Sequence, residues 1–153
     1  MKHQLYIGLG SNLGDRESLI REALRLIELN IGPIVRTSGF IETEPLGFQS
    51  EHLFLNAAAL VVTTLAPHQC LTATQRIERM LGRKQKSKGG VYHDRPIDID
   101  LLIYDNLHIT TPELTLPHPH IGERPFVKLP LREIMDEESR LNSEISAENF
   151  VVR

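Results

Sequence analysis

Two aspartates separated by one residue are the side chains of this sequence best placed to bind a metal ion. They are Asp98 and Asp100, in the run Arg95-Pro96-Ile97-Asp98-Ile99-Asp100-Leu101. Because side chains alternate between the two faces of a strand, a strand here places both carboxylates on one face, with Cα atoms roughly 6.5 Å apart. Mg²⁺ favours a few carboxylates together with substrate phosphates. An isolated Asp-x-Asp is more often the solvated side of an amphipathic strand, so the surrounding sequence must decide.

Cationic side chains stand on both sides of this pair in the sequence. The segment before it contains Arg83, Lys84, Lys86, Lys88 and Arg95, and the segment after it contains His118, His120 and Arg124. Carboxylates that hold metal and cations that hold phosphate are together the components of phosphoryl transfer. A lysine-rich loop alone is more often a solvated surface. The carboxylate pair together with the flanking cations therefore indicates phosphoryl transfer more specifically than either feature alone.

Asn56 interrupts the otherwise apolar run Leu53–Val62. A buried amide without a partner costs about 1–3 kcal/mol, so this side chain should bind either a backbone group or a ligand, and the sequence leaves both open. Phe54 shares its strand face, and an aromatic ring beside an amide suits a flat heterocycle. Gln75 and Glu78, three residues apart on a predicted helix, also share a face, but such pairs are usually solvated.

Composition and missing motifs exclude several protein classes. The 17 Lys and Arg against 20 Asp and Glu give a net charge of −3, without the basic excess of a general nucleic-acid coat. The single cysteine, Cys70, permits no internal disulfide or cysteine-based zinc site and fits a reducing compartment. No P-loop motif occurs, and His118-Pro119-His120 lacks a second ligand cluster for zinc. The first ten residues resemble no signal peptide and no apolar run could span a bilayer, so we expect a cytoplasmic protein.

The apolar spacing predicts the elements that position these residues. We expect strands near residues 5–9, 34–41, 54–62 and 97–104, a helix capped by Asp15 and stopped at Gly32-Pro33, a second helix from Pro67 to Gly82, and a short terminal helix from Leu131 onward. In the last strand, we expect one face to pack on the core through Ile97, Ile99, Leu101 and Ile103. The order strand, helix, strand, strand, helix, strand predicts an α+β fold, a ferredoxin-like βαββαβ sandwich with an antiparallel sheet. The 153 residues suit one domain over residues 1–153.

Several separate motifs occur in the order found in a known family. They are Ile7-Gly8-Leu9-Gly10-Ser11-Asn12-Leu13-Gly14, Thr43-Glu44-Pro45-Leu46-Gly47, Phe54-Leu55-Asn56-Ala57-Ala58, Gln75-Arg76-Ile77-Glu78, Gly82-Arg83, the run around Asp98, and Leu116-Pro117-His118. On these motifs the sequence resembles the 6-hydroxymethyl-7,8-dihydropterin pyrophosphokinases of folate biosynthesis, over about residues 5–134. The resemblance implies transfer of pyrophosphate from ATP to the pterin hydroxymethyl oxygen, with release of AMP. It also implies small-molecule substrates only, with no nucleic acid or membrane partner, and we expect a monomer.

The resemblance further implies a role for each matching position. Asp98 and Asp100 match the residues that bind two Mg²⁺ ions, and together with Arg83 and Arg95 they form the implied catalytic set. The positions that match ATP contacts are Gln75, Glu78, Arg83, Arg95, Ile99, Thr115, His118 and Arg124. The positions that match the pterin pocket are Thr43, Leu46, Phe54, Asn56, Tyr92, Asp98 and Phe126. Tyr92, three residues before Arg95, stands where some members carry a loop Trp that covers the site, and we expect the glycine-containing loop from Arg83 to Asp94 to close over the pterin.

The sequence departs from the family pattern at a few positions, and two other functions compete with this one. Gln85 and Glu113 fall where additional ATP-contacting arginines occur, Pro119 replaces an aromatic residue, and the 83–95 loop is two residues longer than in short members. A nucleotidyltransferase also pairs a Gly-Ser turn with Asp-x-Asp, but there the two lie within one helix length, unlike Ser11 and Asp98 here. A non-catalytic binding module explains the fold but not carboxylates facing a cationic loop. The released product separates the three functions. AMP indicates pyrophosphoryl transfer, pyrophosphate indicates nucleotidyl transfer, and neither product indicates a binding module.

Overall fold

The computed structural model of the protein describes residues 1–44, 52–82 and 94–135. Strands and helices follow one another in the expected order, with a strand before and a strand after each of the first two helices. The strands are β1 (His3–Ser11), β2 (Ile34–Thr37), β3 (Ile41–Thr43), β4 (Phe54–Thr63), β5 (Asp98–Tyr104), β6 (Ile109–Thr110) and β7 (Thr115–Leu116). The helices are α1 (Arg16–Asn30), α2 (Pro67–Met80) and α3 (Pro125–Ile134), with a 3-10 turn at Ile121–Glu123.

The main sheet has the strand order β2-β4-β1-β5, with β3 paired to β4 next to β2. Each of these neighbouring pairs is antiparallel. β6 and β7 form a separate small hairpin. The α+β, ferredoxin-like prediction is therefore confirmed, with β1 in the centre and β5 at one edge of the sheet.

The two faces of the sheet carry two different apolar clusters. The larger cluster joins alternate residues of β1, such as Leu5 and Ile7, to Ile27 of α1 and Ile77 of α2. The smaller cluster joins residues of the opposite face to Leu131, Ile134 and Met135 at the end of α3. Because α3 covers only part of this second face, the Gly10 end of β1 stays available for a site.

Local sequence signals explain the ends of α1. The Asp15 carboxylate accepts a hydrogen bond from the Ser18 backbone N–H at 3.2 Å, which confirms the predicted cap. At the other end, a Cβ added to Gly32 would lie 1.9 Å from the Val62 carbonyl oxygen. Only glycine permits that close approach, so the chain can turn tightly from α1 into β2.

Three expectations about the elements were wrong in detail. The strand predicted over residues 34–41 is two strands, because the Ser38 hydroxyl accepts the Ala58 N–H at 2.8 Å in place of a backbone carbonyl. The terminal helix begins at Pro125, six residues before Leu131, because a proline suits a first helical turn. The third error concerns Ile103, which was expected to share the core face of Ile97.

A β-bulge in β5 accounts for the position of Ile103. Tyr6 pairs with Ile103 and Ile7 pairs with Leu101, so Leu102 is an extra residue in the ladder. Ile103 therefore packs beside Tyr6 in the smaller cluster, on the face opposite Ile97. The expected alternation holds from Ile97 to Leu101, which is the part that carries the two aspartates.

Candidate functional site

The floor of the site is formed by two glycines of β1. Gly10 pairs with Asp98 on one side and Asn56 on the other, and Gly8 pairs with Asp100 and Ala58. A Cβ on Gly10 would come within 3.1 Å of the Asn56 amide oxygen. The missing side chains leave a trough between the aspartates of β5 and the polar end of β4.

A solvent-open cavity with about 470 Å³ of empty space lies over this trough. Seven of the residues that the sequence assigned to the site line it together: Thr43, Phe54, Asn56, Arg95, Asp98, Asp100 and Phe126. The cavity walls come from β3, β4, β5 and the first turn of α3. Its mixed aromatic and polar lining is typical of sites that bind small organic molecules.

Six lining residues were given no site role from the sequence: Gly8, Leu9, Gly10, Glu44, Ala57 and Val127. The alternating glycines of a predicted strand were an available signal, because a glycine inside a strand often marks close approach by a ligand or backbone. Val127 has no such signal, since only the packing of α3 against the sheet brings it to the cavity.

The Asn56 amide has a structural partner inside the protein. Its Nδ2 donates to the Thr43 hydroxyl at 2.8 Å, and the residue is only 5% exposed. Pairing of β3 with β4 places Thr43 directly beside Phe54. One partner of the amide is thus a side-chain hydroxyl, and this bond holds the amide plane against Gly10.

Arg95 lies between an aromatic ring and a carboxylate. Its guanidinium carbon is 4.8 Å from the centroid of the Phe54 ring, and its Nη2 is 3.8 Å from Asp98 Oδ2. The Arg95 side chain is 14% exposed, so solvent screens this charge less than it would a surface charge. A cation is therefore held at the rim of the cavity next to one of the two aspartates.

A second cavity lies on the other side of the β5 edge. Its lining includes four residues that the sequence assigned to ATP, namely Gln75, Ile99, Thr115 and His118. Asp100 lines both cavities. The predicted pterin and ATP residues therefore form two adjacent groups that meet at one carboxylate.

The walls of the second cavity are held to the β5 edge by hydrogen bonds. The His118 backbone N–H donates to the Leu102 carbonyl at 2.8 Å, so the segment after β7 follows the strand. The His118 ring Nδ1 accepts the His120 N–H at 3.2 Å, and a neutral His118 ring therefore carries its proton on Nε2. That tautomer can donate a hydrogen bond from Nε2.

Glu78 is buried and joins α2 to β5. Its Oε2 accepts the Ile99 backbone N–H at 2.8 Å, and the residue is 2% exposed. The expectation that the Gln75/Glu78 pair is solvated was wrong for Glu78, because the helix packs on the sheet edge at this point. Glu78 does not line either cavity, whereas Gln75 lines the second.

The remaining assigned residues line neither cavity or lie outside the described residues. The Arg124 guanidinium carbon is 5.9 Å from the centroid of the Phe126 ring, and Arg124 precedes α3. Leu46, Arg83 and Tyr92 lie outside the described residues, as do Gln85 and residues 83–93 of the loop that was expected to close.

Asp98 and Asp100 are the two neighbouring carboxylates of β5 that the cavity offers to a metal ion. The described part of the chain contains no group of three or more His, Cys, Asp or Glu side chains that could hold a metal ion. Asp98 and Asp100 alone would leave most coordination positions of a cation to water and to a ligand. That donor set fits Mg²⁺, which usually binds through one or two carboxylates plus substrate phosphates.

Comparison with known proteins identifies the family. The family model of 7,8-dihydro-6-hydroxymethylpterin-pyrophosphokinase (HPPK) matches residues 6–136. The chain belongs to the HPPK family. Residues 6–136 include every described element except the first part of β1, and ATP is the co-substrate of this family.

Curated HPPK relatives match most of the chain. The 2-amino-4-hydroxy-6-hydroxymethyldihydropteridine pyrophosphokinase of Porphyromonas gingivalis is 51% identical over 131 residues, covering 85% of this chain and 89% of the relative. The enzyme of the same name from Bacillus subtilis is 39% identical over 135 residues, covering 88% of this chain and 79% of the relative.

Solved structures show the same fold in longer proteins. An HPPK-DHPS crystallised in complex with substrates has a TM-score of 0.74 at 15% identity, over 98% of this chain. This chain spans 43% of that protein, so the likeness concerns the fold of its HPPK part. None of the described helices has the length and apolarity required to cross a lipid bilayer.

Proposed function

We propose that this HPPK-family chain transfers pyrophosphate from ATP to the hydroxymethyl group of 6-hydroxymethyl-7,8-dihydropterin, releasing AMP, in folate biosynthesis. The observation that carries the proposal is the shared position of Asp100. This carboxylate borders both the cavity lined by Phe54 and Asn56 and the cavity lined by Gln75 and His118. Two substrates bound in these cavities would meet at Asp98 and Asp100.

The first cavity is the proposed pterin site. Phe54 and Phe126 supply aromatic surface for stacking on the heterocycle. Thr43 and Asn56 form a polar pair at one wall, and the Asn56 groups not used by Thr43 can read the edge of the ring. From the resemblance, Leu46, Tyr92 and Asp98 complete the proposed set.

The second cavity is the proposed ATP site. Its lining includes Gln75, Ile99, Thr115 and His118. The His118 Nε2 proton can donate to an acceptor there. Arg83, Arg95 and Arg124 are proposed to bind phosphate oxygens. Glu78 is kept as a proposed ATP residue from the resemblance, although its described bond is to the Ile99 N–H.

Asp98 and Asp100 are proposed to hold two Mg²⁺ ions together with the phosphates of ATP. When bound, such ions neutralise phosphate charge and orient the reacting groups. The carboxylates lie opposite Gly10 and Gly8, so no neighbouring β1 side chain blocks them on that face. The chain itself therefore fixes the position of the negative charges to which phosphate-bound cations would be drawn.

The protein's own contribution to the reaction is orientation and charge. During the transfer, the hydroxymethyl oxygen loses its proton to solvent and forms a bond to the β-phosphorus of ATP. The bond from the β-phosphorus to the bridging oxygen breaks, and that oxygen leaves with AMP. Arg95 can donate hydrogen bonds to oxygens that gain charge, because its guanidinium already lies beside Asp98. Aromatic stacking at Phe54 would hold the acceptor against Asp98 and Arg95.

Product analysis tests the proposal. The purified chain is incubated with ATP, Mg²⁺ and hydroxymethyl-dihydropterin, and the nucleotide products are separated. AMP formed only when the pterin is present supports pyrophosphoryl transfer. Pyrophosphate would indicate a nucleotidyltransferase, and neither product would indicate a binding module.

We further propose that residues 1–153 act as one cytoplasmic, monomeric domain. The support for one domain is that both apolar clusters of the described residues pack on the same five-stranded sheet. Light scattering coupled to size exclusion tests the monomer, since a mass of 17.4 kDa is expected. Localisation of the tagged protein in cells tests the compartment.

A further inference from the structure

A single buried amide connects three segments that surround the proposed pterin site. Asn12, in the turn after β1, is 1% exposed. Its Nδ2 donates to the His52 carbonyl at 3.2 Å and to Asp94 Oδ1 at 2.7 Å. Its Oδ1 accepts the Arg95 backbone N–H at 2.7 Å, and its own backbone N–H donates to the Arg95 carbonyl at 3.1 Å.

These bonds end at residues that form the site or lie next to it. Arg95 is held through both its N–H and its carbonyl, so its Cα position depends on Asn12. Its guanidinium reaches Phe54 and Asp98 from that position. His52 lies two residues before Phe54, so the same amide also ties the start of β4 to Arg95.

The chemistry of the contacts requires an amide of this length. Two of the partners accept a hydrogen bond from the side chain and the third donates one. An aspartate would provide no donor and would place a second carboxylate against Asp94, while a serine would provide one donor only. Asn12 therefore satisfies all three contacts with one rigid group.

We propose that Asn12 is a positioning residue for the transfer reaction, acting through Arg95. This inference rests on the proposed function. Without the Asn12 amide, the Arg95 backbone can shift, and the shift moves the guanidinium away from the reacting phosphate. Misplacement of a catalytic group by about 1 Å can cost on the order of 100-fold in rate.

The first test is a double-mutant cycle. We expect Asn12→Ala to lower kcat/KM by about 10- to 100-fold. The double variant Asn12→Ala/Arg95→Ala should be no less active than Arg95→Ala alone, because both changes remove the same contribution, that of the Arg95 guanidinium. Independent, multiplying effects would overturn the proposal.

A matched control separates positioning from stability. Thr63 is also buried, and its hydroxyl donates to the Ile31 carbonyl at 2.7 Å at the opposite end of β4. Thr63→Val should lower the unfolding temperature as Asn12→Ala does, but leave kcat/KM within about twofold at a temperature where both variants are folded. Equal loss of activity in the two variants would overturn the proposal.

A charge swap covers the case in which Asn12→Ala does not fold. Asn12→Asp alone should be poorly active, because it brings two carboxylates together at Asp94. Adding Asp94→Asn restores a donor and acceptor at that contact and keeps the acceptor for the Arg95 N–H. At least tenfold recovery of activity is expected, and no recovery would overturn the proposal.

Hydrogen exchange provides a readout that does not depend on activity. The Arg95 amide should exchange faster in Asn12→Asp or Asn12→Ala than in the wild type, while the Ile99 amide, which is bonded to Glu78, should be unchanged. Unchanged exchange at Arg95 would overturn the positioning role. If the wild type forms no AMP, the proposed function fails on its own, and this measurement still decides whether Asn12 holds Arg95.

Discussion

At the scale of single residues, the central feature is a pair of carboxylates whose neighbours on β1 are glycines. Asp98 and Asp100 are partly exposed and belong to neither apolar cluster. Their removal should therefore affect chemistry far more than folding. Each prediction at this scale changes one polar group and leaves the surrounding packing in place.

Asp98→Asn and Asp100→Asn should each reduce AMP formation by at least about 100-fold, because charge stabilisation by metal-holding carboxylates amounts to several kcal/mol. The unfolding temperature should change little. Asp105→Asn, just beyond β5, is a matched control that removes the carboxylate charge beside His3 and keeps an oxygen that can accept the Gln4 N–H. Near-normal turnover of either site variant at ordinary Mg²⁺ concentration would contradict the assignment.

Asn56→Ala should weaken pterin binding by about 10-fold or more and ATP binding much less, because a bound polar edge would lose its partner. Calorimetric titration with each ligand measures both affinities. Thr43→Val is the paired variant, since it removes the hydroxyl that accepts the Asn56 amide N–H and lines the same cavity. If Asn56→Ala reduces the two affinities equally, the amide is structural.

Glu113→Gln should lower the KM for ATP about two- to fivefold at low salt, because an ionised carboxylate lies in the proposed ATP cavity. Hydrogen bonding from Thr111 holds the pKa of the Glu113 carboxyl below its usual range, so the group is charged at neutral pH. The difference should therefore vanish only at acidic pH, below that lowered pKa, or in high salt. Glu17→Gln, on α1, should change nothing, and an equal effect there would contradict the prediction.

At the scale of elements, β1 determines whether the trough exists. Gly10→Ala should keep the fold but reduce pterin affinity about tenfold, because the new methyl group would come within 3.1 Å of the Asn56 oxygen and narrow the cavity. Gly39→Ala is the control, since its nearest neighbour would be a Glu133 oxygen at 3.8 Å. Unchanged pterin binding in Gly10→Ala would show that the ligand does not approach this floor.

At the scale of the whole molecule, burial of Cys70 links stability to alkaline pH. Cys70 is fully buried, and desolvation raises its pKa from 9.0 to about 11. Between these values the unfolded thiol ionises while the native thiol stays protonated, so stability falls as pH rises from 9 to 11. The loss should be on the order of 2 kcal/mol and should be absent in Cys70→Val. Denaturant unfolding at pH 8 and pH 10.5 checks it, and parallel pH curves would contradict it.

The sequence by itself determined the features that depend on local periodicity and chemistry. Alternation along β5 predicted that Asp98 and Asp100 share a face, the Asp15 cap predicted the start of α1, and the element order predicted the α+β class. These signals are local, because strand and helix periods arise from neighbouring residues. Separated motifs were sufficient to predict the family.

Only the tertiary structure decided which distant groups meet. The bulge at Leu102, the Glu78 bond to the Ile99 N–H and the contacts of Asn12 all join residues far apart in the chain. No periodicity marks such contacts, because they depend on strand register and on how α2 packs against the edge of the sheet. The same limit explains the error at Glu78. Its spacing from Gln75 suggested a solvated helix face, but the packing of α2 against β5 buries this residue.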